Sequence, residues 1–313
     1  MFCVKLYSLI RDEIVYAAQS KGKSSMNALV SQPYTTDSVT SADGTIIGYR
    51  QFGHGPGLIL VHGGMQASQN FTKLATALSD TFTVYVPDRR GRGLSGPHGN
   101  NYCVQRECED LDAILRKTGA HNVFGLSSGA LVSMQAALTL SAIQKLALYE
   151  PPLAISGHPS PTVWLPRYDQ EMAQGNLAAA MVTVMKGTGD TSFLTALPRF
   201  VLVPLLTFGI QADAKEPKGI DVPIKALIPT MHYDPKIVDE MAGTLQNFQA
   251  MRADVLLLGG SNSQQYLKGA LNALSTVLPK VQRVEFPGLG HLAADNGGKP
   301  ERVAQELRRF FSA

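Results

Sequence analysis

The chain has 313 residues, 44% of them hydrophobic, and a formal charge of only +3, which suits one large core in a single α/β domain with an inserted subdomain. No Lys/Arg run and no interleaving of basic with aromatic residues is present, so a nucleic-acid surface is not indicated and a small molecule is the expected partner. Cys3, Cys103 and Cys108 are odd in number and show no C-x-x-C spacing, which argues against structural zinc and for reduced thiols.

Residues 1–35 read as an N-terminal extension. The apolar residues of Met1–Ser25 are interrupted by Lys5, Arg11, Asp12 and Glu13, leaving neither a continuous secretory core nor a cleavage site, so a cytoplasmic chain is expected. An amphipathic helix here could pack on the body or touch a membrane, but the acidic pair argues against anionic lipid. Met26 offers a second plausible start.

From Asp37 to Gly53 two β-rich runs flank Ala42-Asp43-Gly44, a hairpin signal because Asp-Gly supplies positive-φ turn residues. Gly57–Val61, ending in His62-Gly63-Gly64, and Phe82–Pro87, ending in Asp88-Arg89-Arg90-Gly91-Arg92-Gly93, read as buried parallel strands. Phe71–Leu78 and Val104–Lys117 read as helices between strands, giving a β-α-β-α-β alternation. Asn122–Leu126 is the next strand, and it runs into Gly125-Leu126-Ser127-Ser128-Gly129 and a helix from about Ala130 to Leu140. The two glycines of that G-x-S-x-G let strand and helix approach closely at a sharp corner, which pushes Ser127 up as an exposed nucleophile.

Lys145–Tyr149 is a strand closed by Glu150-Pro151-Pro152. Over residues 153–247 the alternation fails, prolines recur and the helical pieces, such as Gln170–Met185, are short, so this stretch reads as an inserted lid on a core of residues 36–152 and 248–313. It carries Trp164, Met172, Met181, Met185, Phe193, Phe200 and the run Val201–Ile210, too short to span a bilayer and broken by Pro204. That run is expected to face core or substrate. Met65, Trp164, Met181, Phe200 and Leu292 are candidates for a hydrophobic substrate pocket. Regular alternation resumes with Ala253–Leu258 (strand), Gln265–Leu278 (helix), Val281–Phe286 (strand), Gly288-Leu289-Gly290-His291, and a helix from Pro300 to Phe311.

In a parallel sheet the C-terminal strand ends share one edge, so Gly63-Gly64, Ser127, Glu150 and His291 converge although far apart in sequence. A serine needs a base near neutral pH, and an imidazole base needs an acceptor that fixes its tautomer; Ser127, His291 and Glu150 supply these. Asp254 lies at the wrong end of its strand, Asp295 is four residues from His291, and Asn262 could orient an imidazole only without charge. His62 reads as a brace for the Gly63-Gly64 turn. His54, His98, His121, His158 and His232 lack ligand-like spacing and read as surface or loop residues, so no metal is expected.

HGG at 62–64, PDRRGRGLSG at 87–96, GLSSG at 125–129 and GLGH at 288–291, in that order, resemble the α/β-hydrolase superfamily over residues 36–313. The resemblance implies an α/β fold with a mostly parallel central sheet flanked by helices and a mainly helical lid. It also implies an oxyanion hole from the Ser128 and Gly64 backbone N–H groups, and a structural turn with internal ion pairs at Asp88, Arg89, Arg90 and Arg92. The sequence departs from many members after the strand VLLLGG, where Ser261-Asn262-Ser263-Gln264 holds no carboxylate, and Glu150 resembles the displaced acid of a subset. A cofactor-free serine hydrolase of hydrophobic esters or lactones follows. The same triad serves acyl transfer and lyase chemistry, and a receptor-like binding protein of the same fold is the alternative from another class. A homodimer is compatible with the sequence.

Overall fold

Asp43 and Gly44 turn the chain between two antiparallel strands, β1 (Tyr34–Thr40) and β2 (Ile46–Phe52). Gly44 takes φ 87°, and Asp43 Oδ1 accepts from the Thr45 N–H at 3.0 Å, a short polar side chain closing its own turn. The computed structural model describes residues 33–189, 196–215 and 219–313. The expectations for residues 1–32, with Cys3, and for Phe193 fall outside the described residues.

Six further strands follow: β3 (Gly57–Val61), β4 (Thr83–Pro87), β5 (Asn122–Leu126), β6 (Lys145–Tyr149), β7 (Asp254–Gly260) and β8 (Val281–Phe286). They form one eight-stranded sheet in the order β1-β2-β4-β3-β5-β6-β7-β8. β2 meets β4 antiparallel, and every neighbour pair from β4 to β8 is parallel. The order reverses beside β3, where β4 lies on one side and β5 on the other, so a crevice opens at the C-terminal ends of β3 and β5.

Helices α1 (Thr72–Leu78), α2 (Val104–Thr118) and α3 (Ser128–Thr139) connect the first strands. Between β6 and β7 lie α4 (Leu165–Ala173), α5 (Leu177–Thr188), α6 (Arg199–Asp213), α7 (Ile224–Leu227) and α8 (Asp234–Glu240), and α9 (Gln265–Val277) and α10 (Pro300–Ser312) complete the chain. Strand side chains alternate between two cores: Val123, Leu146, Leu148, Val255 and Leu257 pack with α2, α3 and α9, whereas Leu58, Leu60, Phe124, Leu126, Leu256 and Leu258 pack with α1 and α10. Each fully buried Leu or Phe contributes about 1.5–3 kcal/mol. α3 is apolar around most of its circumference and buried accordingly, as a helix between a sheet and a covering layer must be.

The segment between β6 and β7 has a small core of its own, including Trp164, Tyr168, Ala180, Val184, Ile228 and Met231. Gly175, at φ 71°, ends α4, and Asn176 starts α5 by accepting from the Ala179 N–H at 3.1 Å, which splits the helix expected over Gln170–Met185 into two. The Val201–Ile210 run differs from expectation: it lies in α6 with only Leu202 and Ile210 buried. Phe200 is 78% and Phe208 70% exposed. At about 100° per residue, Phe200 and Phe208 point roughly 200° away from Leu202 and Ile210, so packing the latter pair turns the aromatic pair outward.

His98 lies in a loop, as expected of a surface or loop residue, but not at the surface. Its ring is buried, stacked on Tyr233 at 3.6 Å between centroids and set edge-on to Tyr102. It covers Gly91, where a Cβ would meet the ring and φ is 79°. Burial first, and Arg92 second, hold its pKa down to about 4, while Glu107 and Asp234 pull the other way. Between that value and the unfolded value of about 6.5 the unfolded chain binds the extra proton, so the contribution to stability is full above pH about 6.5 and lost as pH falls through 4. In a thermal-unfolding series across pH 7 to 4, His98→Phe is expected to lose less Tm than the native chain, by roughly a few degrees. Parallel curves would remove His98 from that acid response.

Candidate functional site

The corner after β5 leaves no space for side chains beside it. A Cβ on Gly125 would lie 2.6 Å from the Ala130 Cα, and one on Gly129 would lie 2.3 Å from the His62 carbonyl oxygen. Ser127 sits between them at φ 55° and ψ −125°, immediately before α3, with its N–H donating to the Tyr149 carbonyl at 2.9 Å. Among the described residues only Met65, Ser127 and Glu150 combine a side chain with positive φ. All three stand just beyond strand ends at the crevice, and such backbone costs on the order of 1–3 kcal/mol per residue.

His291 follows β8 on the Gly288-Leu289-Gly290 turn, and its Nδ1 lies 2.7 Å from Glu150 Oε2. Glu150 is fully buried, and its other oxygen, Oε1, accepts from the Gly260 N–H at 2.6 Å. Both oxygens are thus directed, one to the imidazole and one to backbone. The other candidate partners of His291 are engaged elsewhere: Asp254 pairs with Lys280 at 3.5 Å, Asn262 donates to the Gly288 carbonyl at 3.0 Å, and Asp295 accepts from Gln66 and Asn70. An imidazole fixed by a carboxylate can take a proton from a hydroxyl and return it.

Gly63 and Gly64 follow β3. The Gly63 N–H is committed to Gln66 Oε1 at 2.8 Å, which leaves Gly64 as the glycine of that turn able to offer its N–H elsewhere. Ser128 is the first residue of α3, so its N–H has no acceptor within the helix. Behind the turn His62 is fully buried. Its Nδ1 faces the Gly63 carbonyl at 3.0 Å and its Nε2 accepts from the Arg89 N–H at 3.2 Å, which assigns the proton to Nδ1. Burial, with Arg92 and Arg89 nearby, holds its pKa well below the usual range, and a neutral ring braces the turn.

Arg89 and Arg92 belong to a buried cluster that closes on the segment between β6 and β7. Arg89 forks onto both oxygens of Glu107 at 2.6 Å, and its Nη1 reaches Asp234 Oδ1 at 2.8 Å. Arg92 Nη2 donates to Asp234 Oδ2 at 2.7 Å, and the Ser128 hydroxyl donates to Asp234 Oδ1 at 2.6 Å. Burial pushes the Asp234 carboxyl up, but Arg92 and Arg89 outweigh it and hold it down to about 2. A Cβ on Gly64 would lie 2.7 Å from the Met231 sulfur and 3.2 Å from Asp234 Oδ2, so the same segment presses on the Gly64 turn. Sequence reasoning missed Asp234, which nothing local distinguishes.

Two cavities meet at Ser127 and His291. The larger, about 280 Å³, is lined by Met65, Met181, Met185, Met231 and Leu292 among others, with Gln66, Asn70, Thr188 and Asp295 as its polar members beside Ser127 and His291. The smaller, about 40 Å³, is lined by Trp164, Pro152, Val238 and Tyr266 among others. Of the pocket residues expected from sequence, Met65, Met181 and Leu292 line the larger cavity and Trp164 the smaller. Phe200 lines neither, because it stands on the outward face of α6. No group of three or more His, Cys, Asp or Glu placed to hold a metal ion occurs among the described residues, and no helix among them is long and apolar enough to cross a membrane. Cys103 and Cys108 are free thiols.

A 25%-identical relative over 244 residues, covering 75% of this chain and 82% of its own length, is the 3-hydroxybutyrate-oligomer hydrolase of Cupriavidus necator. The 2-(acetamidomethylene)succinate hydrolase of Mesorhizobium japonicum is 23% identical over 266 residues, 84% of this chain and 91% of its own. Among solved structures, an alpha/beta hydrolase from Sphaerobacter thermophilus superposes with a TM-score of 0.69 at 28% identity, over 88% of this chain and 100% of that one. The enol-lactonase from Burkholderia xenovorans shares the fold at a TM-score of 0.66 and 16% identity, over 88% of this chain and 100% of its own. Residues 58–306 match the model of the alpha/beta hydrolase family. That span runs from β3 through most of α10 and takes in every strand end at the crevice, and the chain is therefore a hydrolase of the alpha/beta hydrolase family.

Proposed function

We propose that the protein hydrolyses carboxylic esters or lactones of hydrophobic small molecules through an acyl-enzyme on Ser127. The observation that carries this reading is the 2.7 Å contact of His291 Nδ1 with the buried Glu150 carboxylate, in a protein whose Ser127 and His291 line the same cavity. Ser127 Oγ attacks the carbonyl carbon while His291 Nε2 takes its proton. The oxyanion is held by the Ser128 and Gly64 N–H groups. His291 then gives the proton to the leaving alkoxide, and a water activated by the same imidazole releases the acid. Glu150 keeps the Nδ1–H tautomer and stabilises the imidazolium.

Residues 153–247 act as a cap that supplies apolar walls to both cavities. The unequal volumes suit an ester with one short and one long apolar group. The name of the Cupriavidus necator relative, an oligomer hydrolase, is in keeping with hydrolytic chemistry. Intact-mass measurement after incubation with a fluorophosphonate should show a single covalent adduct on the peptide bearing Ser127, alongside turnover of p-nitrophenyl esters. Folded protein with neither adduct nor turnover would sink the reading in favour of a ligand-binding role.

A further inference from the structure

The larger cavity is apolar over most of its wall, and two of its polar residues, Gln66 and Asn70, are joined to a third, the carboxylate of Asp295. Asp295 Oδ2 accepts from Gln66 Nε2 at 2.8 Å and from Asn70 Nδ2 at 3.0 Å, and Oδ1 accepts from the Gly297 N–H at 2.9 Å. The orientation of the two amides follows from their other ends. Gln66 Oε1 is held by the Gly63 N–H and Asn70 Oδ1 by the Ala67 N–H, so their NH₂ groups must face Asp295. A carboxylate accepts about four hydrogen bonds, and Oδ1, with a single partner here, keeps an acceptor site.

No lysine or arginine lines this cavity among the described residues, and apart from His291 the only ionisable side chain there is Asp295. The cation closest to it in sequence, Lys299, lines an adjoining cleft that shares His291, Leu292 and Asp295 with the larger cavity, but not the larger cavity itself. A carboxylate entering the larger cavity would meet a like charge with no lysine or arginine on the cavity wall to offset it, in a space whose methionine and leucine walls screen poorly. A hydroxyl or amino group would instead find an acceptor.

On the footing of the serine-hydrolase reading above, we propose that Asp295 sets the charge selectivity of the site. The larger cavity takes the apolar portion of an ester that ends in a hydroxyl or ammonium donor, and rejects portions that end in a carboxylate. Asp295 acts here as a specificity-determining residue and takes no part in the proton transfers at Ser127.

The test uses matched esters that differ only in a terminal group. On the acyl side the pair is p-nitrophenyl 6-hydroxyhexanoate and p-nitrophenyl hydrogen adipate; on the alcohol side it is the acetates of 1,6-hexanediol and of 6-hydroxyhexanoic acid. The native enzyme should favour the hydroxyl member of at least one pair in kcat/KM by about tenfold or more, the scale of a like-charge contact a few ångströms away with partial screening. Asp295→Asn should narrow that ratio by about tenfold, mainly by raising kcat/KM for the carboxylate ester, and Asp295→Glu should restore the preference. An unchanged ratio in both pairs, or an equal loss on both members of each pair, would overturn the proposal. The second result would make Asp295 only a clip between the His291 loop and the Gly63 turn. Fluorophosphonate labelling run in parallel separates the two readings: a native enzyme that labels but shows no charge-dependent ratio loses the selectivity alone, and one that does not label loses the serine mechanism.

Discussion

Ser127→Ala should abolish the fluorophosphonate adduct and lower kcat by about 10⁵–10⁶-fold, leaving only the residual catalysis that binding and oxyanion stabilisation provide. Ser127→Gly should do the same to activity, but the two variants should differ in stability. Ser127 holds φ 55° and ψ −125°, a conformation that burdens any residue with a Cβ, alanine as much as serine. Glycine adopts it without that strain, at the cost of a more flexible unfolded chain. The glycine variant is therefore expected to unfold about 1 kcal/mol later than the alanine variant in a denaturant titration. Equal stabilities would mean that the corner stores no strain at Ser127. Retention of turnover in either variant would remove Ser127 as the nucleophile.

Glu150→Gln should lower kcat by about 10³–10⁴-fold with little change in KM or in fold. The size follows from the two bonds that Glu150 makes. The Gly260 N–H at 2.6 Å needs an acceptor, so glutamine will turn its carbonyl oxygen there and present its NH₂ to His291. That NH₂ donates to Nδ1 and selects the tautomer with its proton on Nε2, the atom that receives the serine proton in the proposed mechanism. The backbone bond survives, so the protein should fold and be recovered in near-native yield. A variant within tenfold of native activity would transfer the acid role elsewhere.

Most of the sheet was legible because its signals are local. Asp43-Gly44 fixes a hairpin, and Gly125 and Gly129 mark a corner too tight for a Cβ. The apolar runs at Gly57–Val61, Asn122–Leu126 and Lys145–Tyr149 are buried on both faces and fall where the strands lie. The contact of Glu150 with His291 could be anticipated because parallel strands bring their C-terminal ends to one edge, however long the connections. The segment between β6 and β7 was opaque for the opposite reason. Its helices carry apolar residues on more than one side, and composition does not say which side the body covers, so Phe200, a pocket candidate by composition, stands outward. Asp234 and Asp295 were illegible as partners because their contacts close over long separations, 145 residues to Arg89 and 229 to Gln66. Only the folded chain brings those pairs together.

The buried junction of Asp234 with Arg89, Arg92 and Ser128 limits how this enzyme can be re-engineered. Exchanging the stretch between β6 and β7 for its equivalent in another family member, to import a new specificity, would strip Arg89 of one of its two carboxylates and Arg92 of Asp234, while leaving both enclosed. Uncompensated buried charge of that kind costs about 3–5 kcal/mol, a large share of the stability of an ordinary domain. A working chimera has to bring a carboxylate to the position of Asp234, or exchange Arg89, Arg92 and Ser128 together with the transplanted stretch. The unit of recombination is therefore larger than the stretch between β6 and β7.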